Sequence, residues 1–161
     1  MRMKETIRKV LKEEIEKNDI IVYHGTPNEH EFNERGHLFN GTFFSTNINE
    51  AKSFGKHLYK VKLKSNLNLF DTNKLGDCKD IVSSFDLIDP YYNEDEDGYY
   101  IETPEQLYGS GDSWSPLEMT PGVIEYLNRN YDGVWVYEGG VRNLLLFSPI
   151  NDKLISISKI N

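Results

Sequence analysis

Near the C-terminus two apolar runs flank a Gly-Gly pair. Val134-Trp135-Val136-Tyr137 precedes Gly139-Gly140, and Leu144-Leu145-Leu146-Phe147 follows it. Short runs of β-branched, aromatic and aliphatic residues separated by a glycine turn read as two strands. A link this short joins antiparallel neighbours, since a parallel pair needs a crossover of a dozen or more residues. Similar pieces recur along the chain. Ile20-Ile21-Val22-Tyr23 is a buried strand that stops at His24-Gly25-Thr26-Pro27, and Thr42-Phe43-Phe44-Ser45 is another. Leu58, Tyr59, Val61 and Leu63 form a strand from which Lys60, Lys62 and Lys64 alternate outward, the period of a strand with one covered face. Leu67 to Phe70, ending at Asp71, and Leu154 to Ile157 are further extended pieces.

Helical patterns lie between them. Ile7, Val10, Leu11 and Ile15 predict an amphipathic helix over residues 4–17, with Lys and Glu on its other faces. Residues 1–19 are therefore set apart from the remainder of the chain. Asn47, with Glu50 three residues on, resembles a capping box. Ile48, Ala51 and Phe54 share one face of the helix it opens, and Gly55 stops that helix. Thr120-Pro121 predicts another helix start, the Thr capping and the Pro at the first helical position. Val123, Ile124 and Leu127 supply its apolar face. Residues 72–119 carry frequent Gly, Pro, Asp and Tyr and give no clear element. Strands and helices mix without regular βαβ alternation, so the expected class is α+β with largely antiparallel pairing.

At 161 residues the chain has the length of one ordinary domain. With 18 Lys and Arg against 26 Asp and Glu, the net charge of −8 lacks the cationic surface that nucleic acid or an anionic membrane requires. Cys78 is the single cysteine, so no intramolecular disulfide forms and a reducing compartment is expected. The start of the sequence lacks the pattern of a signal peptide, and no run approaches the length of a membrane helix. A cytoplasmic protein is the expectation.

Several chemistries find no support. His24, His30, His37 and His57 lack metal-ligand spacing with one another or with Cys78. The acidic run 93–98 does not follow a calcium loop and reads as a solvated segment. Gly109-Ser110-Gly111 lacks the Lys-Ser/Thr that completes a phosphate loop. Ser113 and Ser115 flank Trp114 with no identifiable base.

Three segments stand out in combination: Tyr23-His24-Gly25-Thr26 at a strand end, Gly41-Thr42-Phe43-Phe44-Ser45-Thr46 leading to a helix with Phe54, and Asn143-Leu144-Leu145-Leu146-Phe147-Ser148-Pro149. In this order they resemble the motifs of the ADP-ribosyltransferase superfamily, in its His-Tyr-Glu branch of diphtheria-like toxins and poly-ADP-ribose polymerases. His24-Gly25-Thr26 is similar to the branch's His-Gly-Thr/Ser. Gly41-Thr42-Phe43-Phe44 is similar to its Gly-x-Tyr-Phe, with Phe54 as the second aromatic. Asn143 to Pro149 is similar to its Glu-Tyr-Val-Val-Phe-x-Pro strand. The resemblance spans residues 20 to about 155.

It implies a split antiparallel sheet with flanking helices over residues 20–161, and NAD as the ligand. Nicotinamide would be held by Gly25 and sandwiched between Phe43 and Phe54. His24 would hold ribose with help from Thr26 or Ser45, with Tyr23 and Phe44 beside the site, and Arg35 or Lys52 would face the pyrophosphate. The chemistry agrees with these residue types. Cleaving the nicotinamide–ribose bond passes through an oxocarbenium-like state whose positive charge must be stabilised. A glycine lets backbone groups approach a ligand without a Cβ, and facing aromatics bind a flat ring.

Two positions depart from the pattern. Phe43 stands where the branch has Tyr, so a hydroxyl donor is lost. Asn143 stands where the branch has its catalytic Glu, and brings no charge. Glu138, before the Gly139-Gly140 turn, is the nearest carboxylate in sequence and the candidate replacement. The function implied is transfer of ADP-ribose to a protein or small-molecule acceptor, as in a phage effector or bacterial toxin. The alternative is a degenerate member that binds NAD, ADP-ribose or a related nucleotide without turnover.

Overall fold

The computed structural model describes residues 4, 6, 19–29, 41–84 and 101–160. Lys4 and Thr6 are helical; the other positions of the helix expected over 4–17, together with Arg35 and the acidic run 93–98, lie outside the described residues. The strands are β1 (Ile20–Thr26), β2 (Gly41–Ser45), β3 (His57–Leu63), β4 (Leu69–Asp71), β5 (Gly133–Glu138), β6 (Val141–Phe147) and β7 (Leu154–Lys159). The helices are α1 (Ile48–Ser53), α2 (Leu75–Ser83), α3 (Trp114–Met119) and α4 (Val123–Asn130), with 3-10 turns at Pro104–Gln106 and Asn151–Lys153.

The class is α+β. Among the described residues, seven strands join one sheet in the order β4-β5-β6-β2-β1-β3-β7. Every pair is antiparallel except β4–β5, which is parallel. The pairing is thus largely antiparallel, as the sequence predicts, and the one parallel pair makes the sheet mixed. The chain between β4 and β5 holds α2, α3 and α4, ample length for the crossover that a parallel neighbour demands. Pairing along the sheet is uneven. β1 and β3 are partnered at seven positions, from Ile20↔Leu63 to Thr26↔His57. β1 and β2 are partnered at Tyr23↔Ser45 alone. The β1–β3–β7 half thus diverges from the β4–β5–β6–β2 half at that bridge.

Alternation along the strands sorts two cores onto opposite faces. Leu145 and Phe147 of β6 join Val134 and Val136 of β5, Phe70 and the apolar faces of α2, α3 and α4. Leu144 and Leu146 turn the other way, with Trp135, Phe44, Val22, Val61 and Leu63. Both faces of β6 are covered, which explains why Leu144 to Phe147 is an unbroken apolar run and not an alternating one.

Local chemistry sets the element ends. Gly139 and Gly140 both have positive φ, 53° and 78°, in the two-residue connection that matches strand twist. This fixes the register Glu138↔Val141 and Val136↔Asn143. The Asn47 side chain accepts from the amides of Asn49 (2.9 Å) and Glu50 (3.2 Å) and so caps α1. Thr120 behaves otherwise than expected. Its hydroxyl donates to the Pro116 carbonyl at 2.6 Å and closes α3. The next helix opens two residues later than the sequence predicts, at Val123 behind Gly122 with φ 78°.

Candidate functional site

The junction of β1, β2 and β6 carries a cleft. The end of β2 is tied to the start of β6 by Thr46, whose amide (3.1 Å) and hydroxyl (2.8 Å) both donate to the Arg142 carbonyl. Arg142 is anchored in turn. Its guanidinium donates to Asp71 at 2.9 Å and lies 4.2 Å from the ring centre of Trp135. The Ser45 hydroxyl accepts from the Asn47 amide at 3.1 Å, so the turn from β2 into α1 is set from within the site.

Against this platform α1 packs on the end of β1 with no room for side chains between them. A Cβ on Gly25 would lie 1.8 Å from the Ala51 carbonyl oxygen, and one on Gly55 would lie 2.0 Å from the Thr26 carbonyl carbon. Gly25 is thus demanded by the approach of α1. Gly55 likewise answers to close approach.

The cleft is lined by Tyr23, Gly25, Phe43, Phe44, Ser45, Ala51, Phe54, Glu138 and Asn143, and holds about 250 Å³ of empty space, open solvent included. Segments distant in sequence converge here: the end of β1, the β2–α1 unit, and both sides of the β5–β6 turn.

Phe43 and Phe54 both line this cleft. The Phe43 ring is locked by a T-shaped contact with Trp114, centroids 4.8 Å apart at 82°. Phe54, just past the end of α1, is 55% exposed. Phe44 borders the cleft but belongs to the opposite core, its ring 5.5 Å from that of His24.

His24 is outside the lining. Alternation sends its side chain to the face opposite that of Tyr23 and Gly25, and its Nδ1 is 2.8 Å from the Phe43 carbonyl. His24, which the resemblance has holding ribose, bridges β1 to β2 beside their divergence and fixes the backbone that carries Phe43. Thr26 also stands apart, with its hydroxyl donating to the Asn28 carbonyl at 3.0 Å. Lys52 is exposed on α1.

Asn143 and Glu138 meet. The Asn143 Nδ2 donates to Glu138 Oε1 at 3.1 Å. Asn143 is 3% exposed, and its Oδ1 is buried with no hydrogen-bond partner among the described residues. Glu138 comes within reach because Val136, not Glu138, lies directly opposite Asn143, which leaves Glu138 two residues along on the same face.

Sequence reasoning missed two residues here. Ala51 lines the cleft, and its signal was its place between Ile48 and Phe54 on the helical face. Trp114 holds Phe43; it lies in the stretch where no element was assigned. Among the described residues no group of three His, Cys, Asp or Glu gathers to hold a metal ion, and no helix is long and apolar enough to cross a membrane.

No family model and no curated protein matches the chain. Among solved structures it is similar to an anti-CRISPR protein known from a crystal structure. The TM-score is 0.51 at 16% identity, over 88% of this chain and 96% of that one. At that identity the likeness is one of fold.

Proposed function

We propose that the cleft binds the nicotinamide end of NAD and that the protein is an ADP-ribosyltransferase acting on a protein or small-molecule acceptor. The observation that carries this reading is convergence. The three segments that resemble the superfamily's motifs, far apart in the chain, contribute Tyr23 and Gly25, Phe43 with Phe54, and Asn143 to one hollow. In this reading the domain over residues 20–161 has the superfamily's fold. The divergence of β1 from β2 is its sheet split, and the seven-stranded α+β architecture is compatible with it.

The ring pocket uses Phe43 and Phe54, each stack contributing on the order of 1 kcal/mol. The ribose lies towards Asn143 and Glu138. In the reaction the bond between C1′ and the ring nitrogen breaks, and the electron pair leaves with neutral nicotinamide. The acceptor's lone pair forms the new bond to C1′, and its proton is released. Glu138 is the carboxylate of the lining available to stabilise the positive charge that develops on the ribose. A phage effector or bacterial toxin is the setting that the resemblance implies, and the fold likeness to an anti-CRISPR protein accords with it.

A second reading is favoured by the uncharged Asn143: the site binds NAD or ADP-ribose without cleaving it. Incubation with NAD labelled in the adenylate half, with and without cell lysate, separates the outcomes. Transfer of label supports the transferase, and free nicotinamide without transfer supports hydrolysis. Calorimetric binding with neither supports the second reading. Absence of binding contradicts both.

A further inference from the structure

We propose that the working carboxylate of this site has crossed the β5–β6 turn: Glu138 supplies the negative charge, and Asn143 positions it. The inference rests on the reading of the cleft as an NAD site, and it goes beyond that reading by assigning the two residues complementary roles that cannot be held by two carboxylates.

The geometry favours a mixed pair. Asn143 and Glu138 are diagonal neighbours on one face of the β5–β6 ladder, joined at 3.1 Å from Nδ2 to Oε1. An amide suits the buried place because it donates to the carboxylate through nitrogen and still presents an acceptor. The opposite amide orientation would set two acceptors against each other. With nitrogen committed to Glu138, Oδ1 is left buried and unpartnered among the described residues. A buried acceptor without a donor is costly. A ligand hydroxyl entering the cleft supplies that donor, so Asn143 both orients Glu138 and meets the ribose. A glutamate at position 143 would bring a second carboxylate beside Glu138 where solvent scarcely reaches, and like charges disfavour each other's ionised form. Reinstating the residue that the motif prescribes is therefore harmful here unless Glu138 is neutralised.

The test is a set of three variants: E138Q, N143E and the exchange E138Q/N143E. Nicotinamide release is measured under single-turnover and steady-state conditions, with folding checked by circular dichroism. E138Q is expected to lower kcat on the order of 10²- to 10³-fold with little change in KM, as for loss of a group that acts on the transition state. N143E is expected to lose turnover and to melt several degrees below wild type. The exchange variant is expected to recover most of both. Wild-type kcat in E138Q, or a gain of turnover in N143E, would overturn the proposal. Should the wild-type protein neither bind nor cleave NAD, the functional reading fails by itself. The exclusivity of the pair is then decided by melting: N143E and E138Q/N143E melting at the same temperature would overturn it.

Discussion

On the proposed reading, Phe54→Ala is expected to separate NAD binding from stability, because the ring lines the cleft while staying largely exposed. Full burial of a phenylalanine side chain stabilises a fold by about 1.5–3 kcal/mol. Phe54 keeps 55% of its surface exposed, so its truncation is expected to cost about 1 kcal/mol or less. Loss of one stacking face removes about 0.5–1.5 kcal/mol of binding, and at 1.4 kcal/mol per decade that weakens Kd about 2- to 12-fold. Phe44→Ala provides the contrast. Phe44 is 2% exposed within the second core, and truncation of such a ring costs about 3–5 kcal/mol. Calorimetric titration with NAD and thermal melting of both variants make the comparison. If Phe54→Ala bound NAD as tightly as wild type, the clamp would be refuted. If it melted as far below wild type as Phe44→Ala, Phe54 would have to be reassigned to the core.

Three further outcomes follow from the packing. Gly25→Ala places a Cβ 1.8 Å from the Ala51 oxygen; backbone must move, and a cost of about 3 kcal/mol or more is expected in denaturant unfolding, at the top of the overpacking range. Asn47→Ala removes the acceptor for two amides of α1 and is expected to cost about 1 kcal/mol by the same measurement. Burial, reinforced by the negative charges of Asp77 and Asp71, pushes the Cys78 thiol up to about 12 from its ordinary 9.0, and the thiol donates to the Thr72 carbonyl at 3.4 Å. The folded state therefore holds the proton more tightly than the unfolded one. The stability this confers is complete below about pH 9 and is lost as pH rises towards 12. A thiol reagent at pH 8 is expected to label Cys78 in denaturant and not in the native protein.

The strands were legible where periodicity and turn chemistry agreed. The Gly139-Gly140 turn and the apolar runs on either side of it identify β5 and β6, and the alternation of Lys60, Lys62 and Lys64 identifies β3. The Asn47 cap announced α1. What stayed hidden depended on tertiary neighbours. The parallel β4–β5 pair joins a three-residue strand to one far along the chain, and such pairing leaves no local signal. Leu75, Cys78, Ile81 and Val82 do carry helical spacing, but the surrounding Gly and Asp obscured α2. Thr120 has the right chemistry for a cap, yet its hydroxyl serves the preceding helix. Within the site, residue types suggested which side chains belong together, while the faces came from the backbone. Alternation puts His24 opposite the cleft and brings Glu138 beside Asn143.

A residue-resolved NMR titration with NAD tests the central claim most directly. Amide shifts concentrated at Gly25, Phe43 to Ser45, Phe54, Glu138 and Asn143, with Ile155 to Lys159 on the far edge of the sheet unmoved, are the expected result. A titration that leaves those cleft amides unchanged, or moves only residues elsewhere, would contradict the account.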